Sequence, residues 1–187
     1  HRHGGAGATR FTRSASMNLQ STDFELFAVP PRFAQDAAQL DARWKELQRQ
    51  VHPDKFAAQG AAAQRVAMQW SARINEAYRR LKDPLKRAAY LCELNGAPID
   101  AESNTAMPAE FLMQQMELRE AVDDAVDAAA MDEIGRQSAT LKREMLLKLE
   151  QQMDAQHDWP AAAQTVRALM FLDRLAGDID RKRATLE

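Results

Sequence analysis

The stretch DAAQLDARWKELQRQVHPDKF, residues 36–56, decides the fold class. Leu40, Trp44, Leu47 and Val51 recur at steps of four, three and four, which lays one apolar stripe along a helix. Asp36 stands where an N-cap accepts the first free amides, and Gln39 follows at capping-box spacing. His52 and Pro53 end the element, because a residue before proline is driven out of the helical region. A polar turn follows: His52, Pro53 and Asp54, then Lys55 and Phe56. Asp54 could cap the next turn and His52 the end of the preceding helix, which would account for both residue types without any partner.

The same pattern continues to either side. A short helix is expected over Phe24 to Val29, stopped by Pro30 and Pro31. Another runs from about Ala61 to Leu81, with Val66, Trp70, Ile74, Ala77, Tyr78 and Leu81 along one side. Pro84 restarts the chain at a first helical position, and Leu85, Ala88, Ala89, Leu91 and Cys92 lead to a stop at Asn95-Gly96-Ala97-Pro98. Three longer helices are expected beyond it. The first spans Pro108 to about Ile134 and carries Phe111, Leu112, Met116, Val122, Val126 and Ala130. The second spans Ser138 to about Met153 with Leu141, Met145, Leu149 and Met153. The third follows Trp159-Pro160 with Val166, Leu169, Leu172, Leu175 and Ile179. Three amphipathic helices with short connections pack most simply as an antiparallel bundle. Among 187 residues there are 35 alanines and only seven glycines, three of them at positions 4, 5 and 7. No period-two alternation of useful length occurs, so the fold is expected to be all-α.

Charge divides the chain. Residues 40–90 carry 11 Lys and Arg against 5 Asp and Glu, whereas residues 100–133 carry 1 against 10. A basic N-terminal unit is therefore joined to an acidic C-terminal one, with a whole-chain formal charge of only -2. That balance argues against a broadly basic nucleic-acid surface. No apolar run approaches the roughly eighteen residues that a membrane span needs. A lone cysteine, Cys92, can form neither an internal disulfide nor a multi-thiolate zinc site, which fits a reducing, cytoplasmic setting. Residues 1–18 show no apolar period and read as a disordered or added tail rather than a targeting segment.

Catalytic patterns are missing. There is no Gly-rich phosphate loop, HExxH or GxSxG motif. Beyond the tail the only histidines are His52 and His157, far apart in sequence. Cys92 reads as a small packed thiol. Asp123 and Asp127, at i,i+4, read as a solvated acidic face rather than paired catalytic groups, and the Glu-x-x-His repeats of di-metal bundles are absent. No catalytic residue, metal ligand or cofactor is expected, and an enzyme is disfavoured.

Five stretches carry a resemblance. Gln50-Val51-His52-Pro53-Asp54-Lys55-Phe56, then Ile74-Asn75-Glu76-Ala77-Tyr78-Arg79-Arg80-Leu81-Lys82-Asp83-Pro84 and Arg87-Ala88-Ala89-Tyr90, resemble a DnaJ-type J domain. Phe111 to Glu120 and Thr165 to Leu175 are similar to the C-terminal domain of the HscB family of iron–sulfur co-chaperones. The resemblance covers about residues 22–180 and implies a J domain over 19–96, a linker over 97–107 and a three-helix domain over 108–187, L-shaped overall. It also implies a co-chaperone that brings an IscU-like iron–sulfur scaffold protein to an HscA-like Hsp70-class chaperone and stimulates that chaperone's ATPase.

Residue by residue, it implies chaperone binding at His52, Pro53 and Asp54, with Arg43, Lys45, Arg49 and Lys55 as basic companions. Scaffold binding falls to Leu112, Met113 and Met116, with Glu117, Glu120 and Phe171 nearby. Leu112, Met113, Met116 and Phe171 are expected to face outward. Met170 departs from the arginine that the bacterial pattern places beside that phenylalanine. The chain also lacks the paired CxxC motifs of many eukaryotic relatives, which points to the bacterial form. The expected partners include no nucleic acid and no membrane, and the protein is expected to be a monomer. Two other readings remain open: a J-domain protein serving a different client, and a metal-binding helical bundle built on the acidic stretch.

Overall fold

A computed structural model describes residues 18–187, so the tail expected over residues 1–18 lies, apart from Asn18, outside the described residues. In chain order the helices are α1 (Asp23–Phe27), α2 (Ala37–Val51), a 3-10 segment (Pro53–Gln59), α3 (Ala61–Lys82) and α4 (Pro84–Leu94). They continue as α5 (Ala109–Asp124), α6 (Ala128–Glu150) with a π-helical extension (Gln151–Ala155), and α7 (Trp159–Thr185). No strand occurs among the described residues. The chain forms two compact units that divide between Arg87 and Ala88, within α4, ahead of the Gly96 stop.

In the first unit α2 and α3 run antiparallel. Asp36 caps α2 by accepting the Ala38 and Gln39 amides at 3.0 and 3.3 Å. Leu40, Leu47 and Val51 are buried, as are Ile74, Ala77 and Leu81 of α3. A polar seam fixes the register of the pair: Trp44 Nε1 and Gln48 Nε2 both donate to Asn75 Oδ1, at 2.9 and 2.8 Å. Ser71 Oγ donates back to Gln48 Oε1 at 2.8 Å, and Trp44 stacks on Tyr78 with centroids 4.9 Å apart. Val66, expected on the buried side of α3, is exposed, and Ala67 is buried instead. Two successive steps of four residues over-rotate a helix by about 80°, whereas the seven residues from Ala67 to Ile74 return almost to the same face.

Asp23, wholly buried in the first turn of α1, pairs with two arginines of α3. Arg80 donates to both of its carboxylate oxygens, at 2.5 and 2.9 Å, and Arg73 Nη1 lies 2.8 Å from Oδ1. Arg73 also donates to the carbonyls of Leu19 and Ser21. The two cations thereby fasten the N-terminal segment to α3, and a buried carboxylate left without them would be strongly destabilising.

The second unit is an up–down–up bundle of α5, α6 and α7. Ion pairs mark the antiparallel α6–α7 seam from Lys142–Asp173 (3.2 Å) to Arg183–Asp132 (2.6 Å). The π segment follows directly on α6, where the buried Gln152 accepts the Thr165 hydroxyl at 2.8 Å. The helix expected to run from Pro108 to Ile134 is in fact two. α5 ends at Asp124, Ala125 turns out of the helix, and Asp127 caps α6 by accepting the Ala130 amide at 2.8 Å. Lys182 of α7 donates to the carbonyls of Val122 and Asp123 and so holds the end of α5. The consequences are that Val126 lies exposed in the break, and that Asp123 and Asp127 belong to different elements rather than one helix face. The interval expected between helices, Gly135 to Gln137, lies inside α6, where Gly135 meets Ile179 at 4.0 Å from its would-be Cβ.

Buried Arg167 clips the 98–106 segment onto α7. Its guanidinium donates to Ile99, Ala106 and Pro98 carbonyls at 2.9, 3.0 and 3.3 Å. Gly96 takes the left-handed conformation (φ +78°) that closes α4, with the Ala97 amide donating to the Cys92 carbonyl at 2.8 Å.

Candidate functional site

The turn after α2 is built from its own residues. His52 Nδ1 accepts the Asp54 amide at 3.3 Å, and the His52 carbonyl accepts the Lys55 amide at 3.0 Å. His52 therefore caps the 3-10 segment that follows, not the end of α2. A ring whose Nδ1 accepts carries its proton on Nε2, so the N–H points away from the cap. Asp54 has no capping role. Its carboxylate is 90% exposed, against 56% for the His52 side chain, with 3.6 Å from Oδ2 to His52 Nδ1. None of the residues Pro53–Gln59 is buried.

Lys45 and Arg49 are exposed one helical turn apart on α2, on the approach to His52, and Lys55 is exposed beside the turn. Arg43 differs from them. It is half-buried, and its guanidinium lies 3.8 Å from Glu46. Several other cations of this unit serve the fold, whereas Arg65, Arg79 and Lys86 are exposed on α3 and α4. Besides Arg73 and Arg80, Arg87 donates to the Phe33 and Leu81 carbonyls. Lys82 Nζ donates to Asp41 Oδ1 at 2.6 Å, and the Tyr78 hydroxyl donates to the same oxygen. The Lys82 and Tyr78 bonds hold the Asp41 carboxyl below its usual range. The basic excess read from the sequence is thus divided among internal pairing, the exposed group beside the turn, and the exposed Arg65, Arg79 and Lys86.

In the second unit Leu112, Met113 and Met116 stand 59, 63 and 56% exposed on α5, against a general rule that such large apolar side chains are buried. Phe171 does not face outward as expected. It is only 5% exposed, packed edge-on against Phe111 with centroids 5.8 Å apart, and covered by the Arg119 guanidinium at 5.5 Å from its ring. It forms the floor of a groove of about 360 Å³ that Leu112, Gln115, Met116, Arg119 and Glu120 also line. Met113 and Glu117 do not line that groove. Glu117 lies on the other flank of α5, in a groove of about 460 Å³ facing Glu133, Arg136 and Glu144 of α6. Gln115 and Arg119 were not singled out from the sequence, although Arg119 is the one cation of residues 100–133.

Cys92 is fully buried, and burial pushes its thiol up to about 11, partly offset by Arg167. Such a thiol is protonated near neutral pH and is a poor nucleophile. Among the described residues no group of three or more His, Cys, Asp and Glu side chains is arranged to hold a metal ion. Nor is any helix there long and apolar enough to cross a membrane.

A family model described as the HSCB C-terminal oligomerisation domain matches residues 107–180. A co-chaperone protein HscB homolog of Burkholderia multivorans is 48% identical over 174 residues, covering 91% of this chain and 99% of that protein. The solved structure of chaperone HscB from Vibrio cholerae aligns with a TM-score of 0.73 at 36% identity, covering 89% of this chain and all of that one. The crystal structure of human co-chaperone protein HscB aligns at 0.82 and 27% identity, covering 91% of this chain and 86% of that one.

Proposed function

Since the chain belongs to the HscB family of co-chaperones, we propose that it recruits an iron–sulfur scaffold protein to an Hsp70-class chaperone and stimulates that chaperone's ATPase. It performs no bond chemistry itself. Its first unit docks on the chaperone through His52, Pro53 and Asp54, with Lys45, Arg49 and Lys55 steering the encounter. Its second unit holds the scaffold on the face of Leu112, Met113 and Met116. Binding both partners raises the local concentration of scaffold at the chaperone. Docking at the turn favours the chaperone state that hydrolyses ATP, a coupling between two sites.

The observation that carries the reading is the turn itself. It closes on one nitrogen of His52 and leaves the Asp54 carboxylate, which caps nothing, exposed beside a rigid proline. Charges beside such a rigid contact raise association rates and their salt sensitivity. The finer assignment is an HscA-like chaperone and an IscU-like scaffold in the cytoplasm. A single copy of the chain suffices for this, because each unit offers one docking feature.

The test is steady-state ATPase of the HscA-like chaperone with and without this protein and the IscU-like scaffold. Stimulation that rises further with scaffold is expected, and Leu112→Ala with Met116→Ala should remove the scaffold-dependent rise alone. Stimulation without any scaffold effect would refute the second docking face. No stimulation would refute the reading as a whole.

A further inference from the structure

α5 is thinly embedded in its own bundle. Of its sixteen residues only Phe111, Leu118 and Val122 are buried, whereas α7 buries eleven of its 27. Those three lie seven and four positions apart, a single narrow line along the helix. A groove follows α5 on each side of that line: one of about 460 Å³ toward α6, and one of about 360 Å³ floored by Phe171 of α7. A third, of about 220 Å³, opens at its first turn between Pro108, Phe111, Leu141 and Met145. Among the described residues no side chain caps its N-terminus. So narrow a stripe resists rolling and sliding poorly, because open space stands where further packed side chains would oppose either motion.

The two ends are held by α7 instead, through bonds to main-chain carbonyls. Lys182 Nζ donates to the Val122 and Asp123 carbonyls, which lie in the last turn of α5 and have no acceptor role within the helix. A cation there is also favoured by the helix dipole. Ahead of the first turn, buried Arg167 donates to the Pro98, Ile99 and Ala106 carbonyls, the last only three residues before α5 begins. Fifteen residues separate Arg167 from Lys182, about 22 Å at the rise of an α-helix, and α5 is about 24 Å long. The remaining polar ties of α5 are of another kind. Arg119–Asp178 (2.9 Å) and Lys148–Glu110 (4.0 Å) join partly exposed side chains to one another, and such pairs contribute little.

We infer that Arg167 and Lys182 are positioning residues for scaffold docking: anchored on one helix at a spacing that matches α5, they set its place and roll, and with them the presentation of Leu112, Met113 and Met116. The inference rests on the docking function proposed for that face. Neither residue touches the partner. Each acts on the backbone of the element that carries the docking side chains, so its loss lowers the share of molecules in which those side chains stand correctly. Apparent affinity falls by that share: correct placement in about a tenth of the molecules weakens binding about tenfold, although every contact with the partner survives. The two anchors divide the work. Arg167 governs the first two turns, where the three docking residues lie, and Lys182 governs the far end, so Arg167 has the larger effect.

The experiment is calorimetric titration of the full-length protein with the purified IscU-like scaffold, well below the melting midpoint of every variant used. The variants are Arg167→Met, Lys182→Met, Lys182→Arg and Ile179→Ala, with a thermal melt of each. Ile179 meets Gly135 at the α6–α7 seam, so its truncation lowers stability without removing either anchor. Arg167→Met should weaken binding roughly tenfold and Lys182→Met by a smaller factor. Lys182→Arg keeps a cation that reaches the same carbonyls and should bind within about twofold of the unaltered protein. Ile179→Ala should melt earlier yet bind equally well. Should Arg167→Met fail to fold, the pair of Lys182 variants carries the test. Binding by the folded Met variants within about twofold of the unaltered protein would overturn the inference and leave the docking face standing. An equal loss in Ile179→Ala would also overturn it, by showing that affinity only follows the stability of the bundle. Failure of the unaltered protein to bind the scaffold would overturn both readings.

Discussion

His52→Gln separates docking from folding. In the structure the His52 side chain makes a single hydrogen bond, the 3.3 Å acceptance of the Asp54 amide, and is more than half exposed. A neutral bond of that kind contributes roughly 0.5–1 kcal/mol, and loss of a helix cap costs about 1 kcal/mol. Glutamine carries an acceptor oxygen that can replace Nδ1, and the 3-10 segment beyond buries none of its residues, so no core is disturbed. The expected destabilisation is therefore below about 1 kcal/mol. For a domain of this size that corresponds to a fall of at most about 8 °C in melting temperature. Urea unfolding followed by tryptophan fluorescence reports it, since Trp44 sits in the α2–α3 seam. Over the same temperature range the variant should give no stimulation of the chaperone's ATPase while remaining folded. A loss of more than about 2 kcal/mol, with stimulation falling only in proportion to the unfolded fraction, would refute the reasoning. It would assign His52 to the cap alone.

Three further outcomes are expected. Arg167→Met removes a buried cation from three carbonyls and should destabilise the second unit by about 3 kcal/mol, read as a lower urea midpoint; a change under about 1 kcal/mol would show the 98–106 segment to be held by other means. The Asp41 carboxyl is held down by Lys82 and then Tyr78, so its contribution to stability is present above its unfolded value of 3.8 and is lost as pH falls through the lowered folded value; Asp41→Asn should flatten that acid limb in urea titrations against pH, and an unchanged limb would count against the pairing. Cys92, its thiol pushed up to about 11, should resist iodoacetamide at pH 8 in the native protein and react once urea unfolds it; rapid native alkylation would show that the α4 end opens locally.

What could be read in the sequence was what depends on near neighbours. The Asp36 cap, the stop before Pro53 and the left-handed closure at Gly96 are each determined within four residues, and all three occur where expected. The errors have remote causes. The break at Ala125 carries no proline or glycine to mark it; its carbonyls are held by Lys182, some sixty positions away, and Asp127 is concealed among neighbouring aspartates. Gly135 is tolerated mid-helix because α6 passes close to Ile179 of α7. Phe171 shows the same limit at the candidate site. Its helix is apolar on several sides, so periodicity left its direction open, and the resemblance turned it outward. Packing against Phe111 and the Arg119 cover make it a floor instead.

The charge asymmetry between the halves of the chain has a similar resolution. Read as a sum, the basic stretch of residues 40–90 suggests a uniformly positive docking face. Resolved into side chains, it falls into two groups that obey different physics. Arg73 and Arg80 neutralise a carboxylate wholly removed from water, and Arg87 satisfies backbone carbonyls, so each is fixed by the penalty of leaving a buried partner alone. Lys45, Arg49 and Lys55, like Arg65, Arg79 and Lys86, make no such bond among the described residues and remain in water, where their field is screened within about 8–10 Å. For the docking proposed at the His52–Asp54 turn, what counts in this second group is therefore the position of Lys45, Arg49 and Lys55 beside that turn, not the total. In the acidic half the logic is inverted. One arginine in a field of carboxylates is conspicuous by sign, and its place over the aromatic floor of the groove gives that single charge a defined direction. Net charge thus describes each half only as a sum; the pairing of individual ions says which charges the fold consumes and which stay in water.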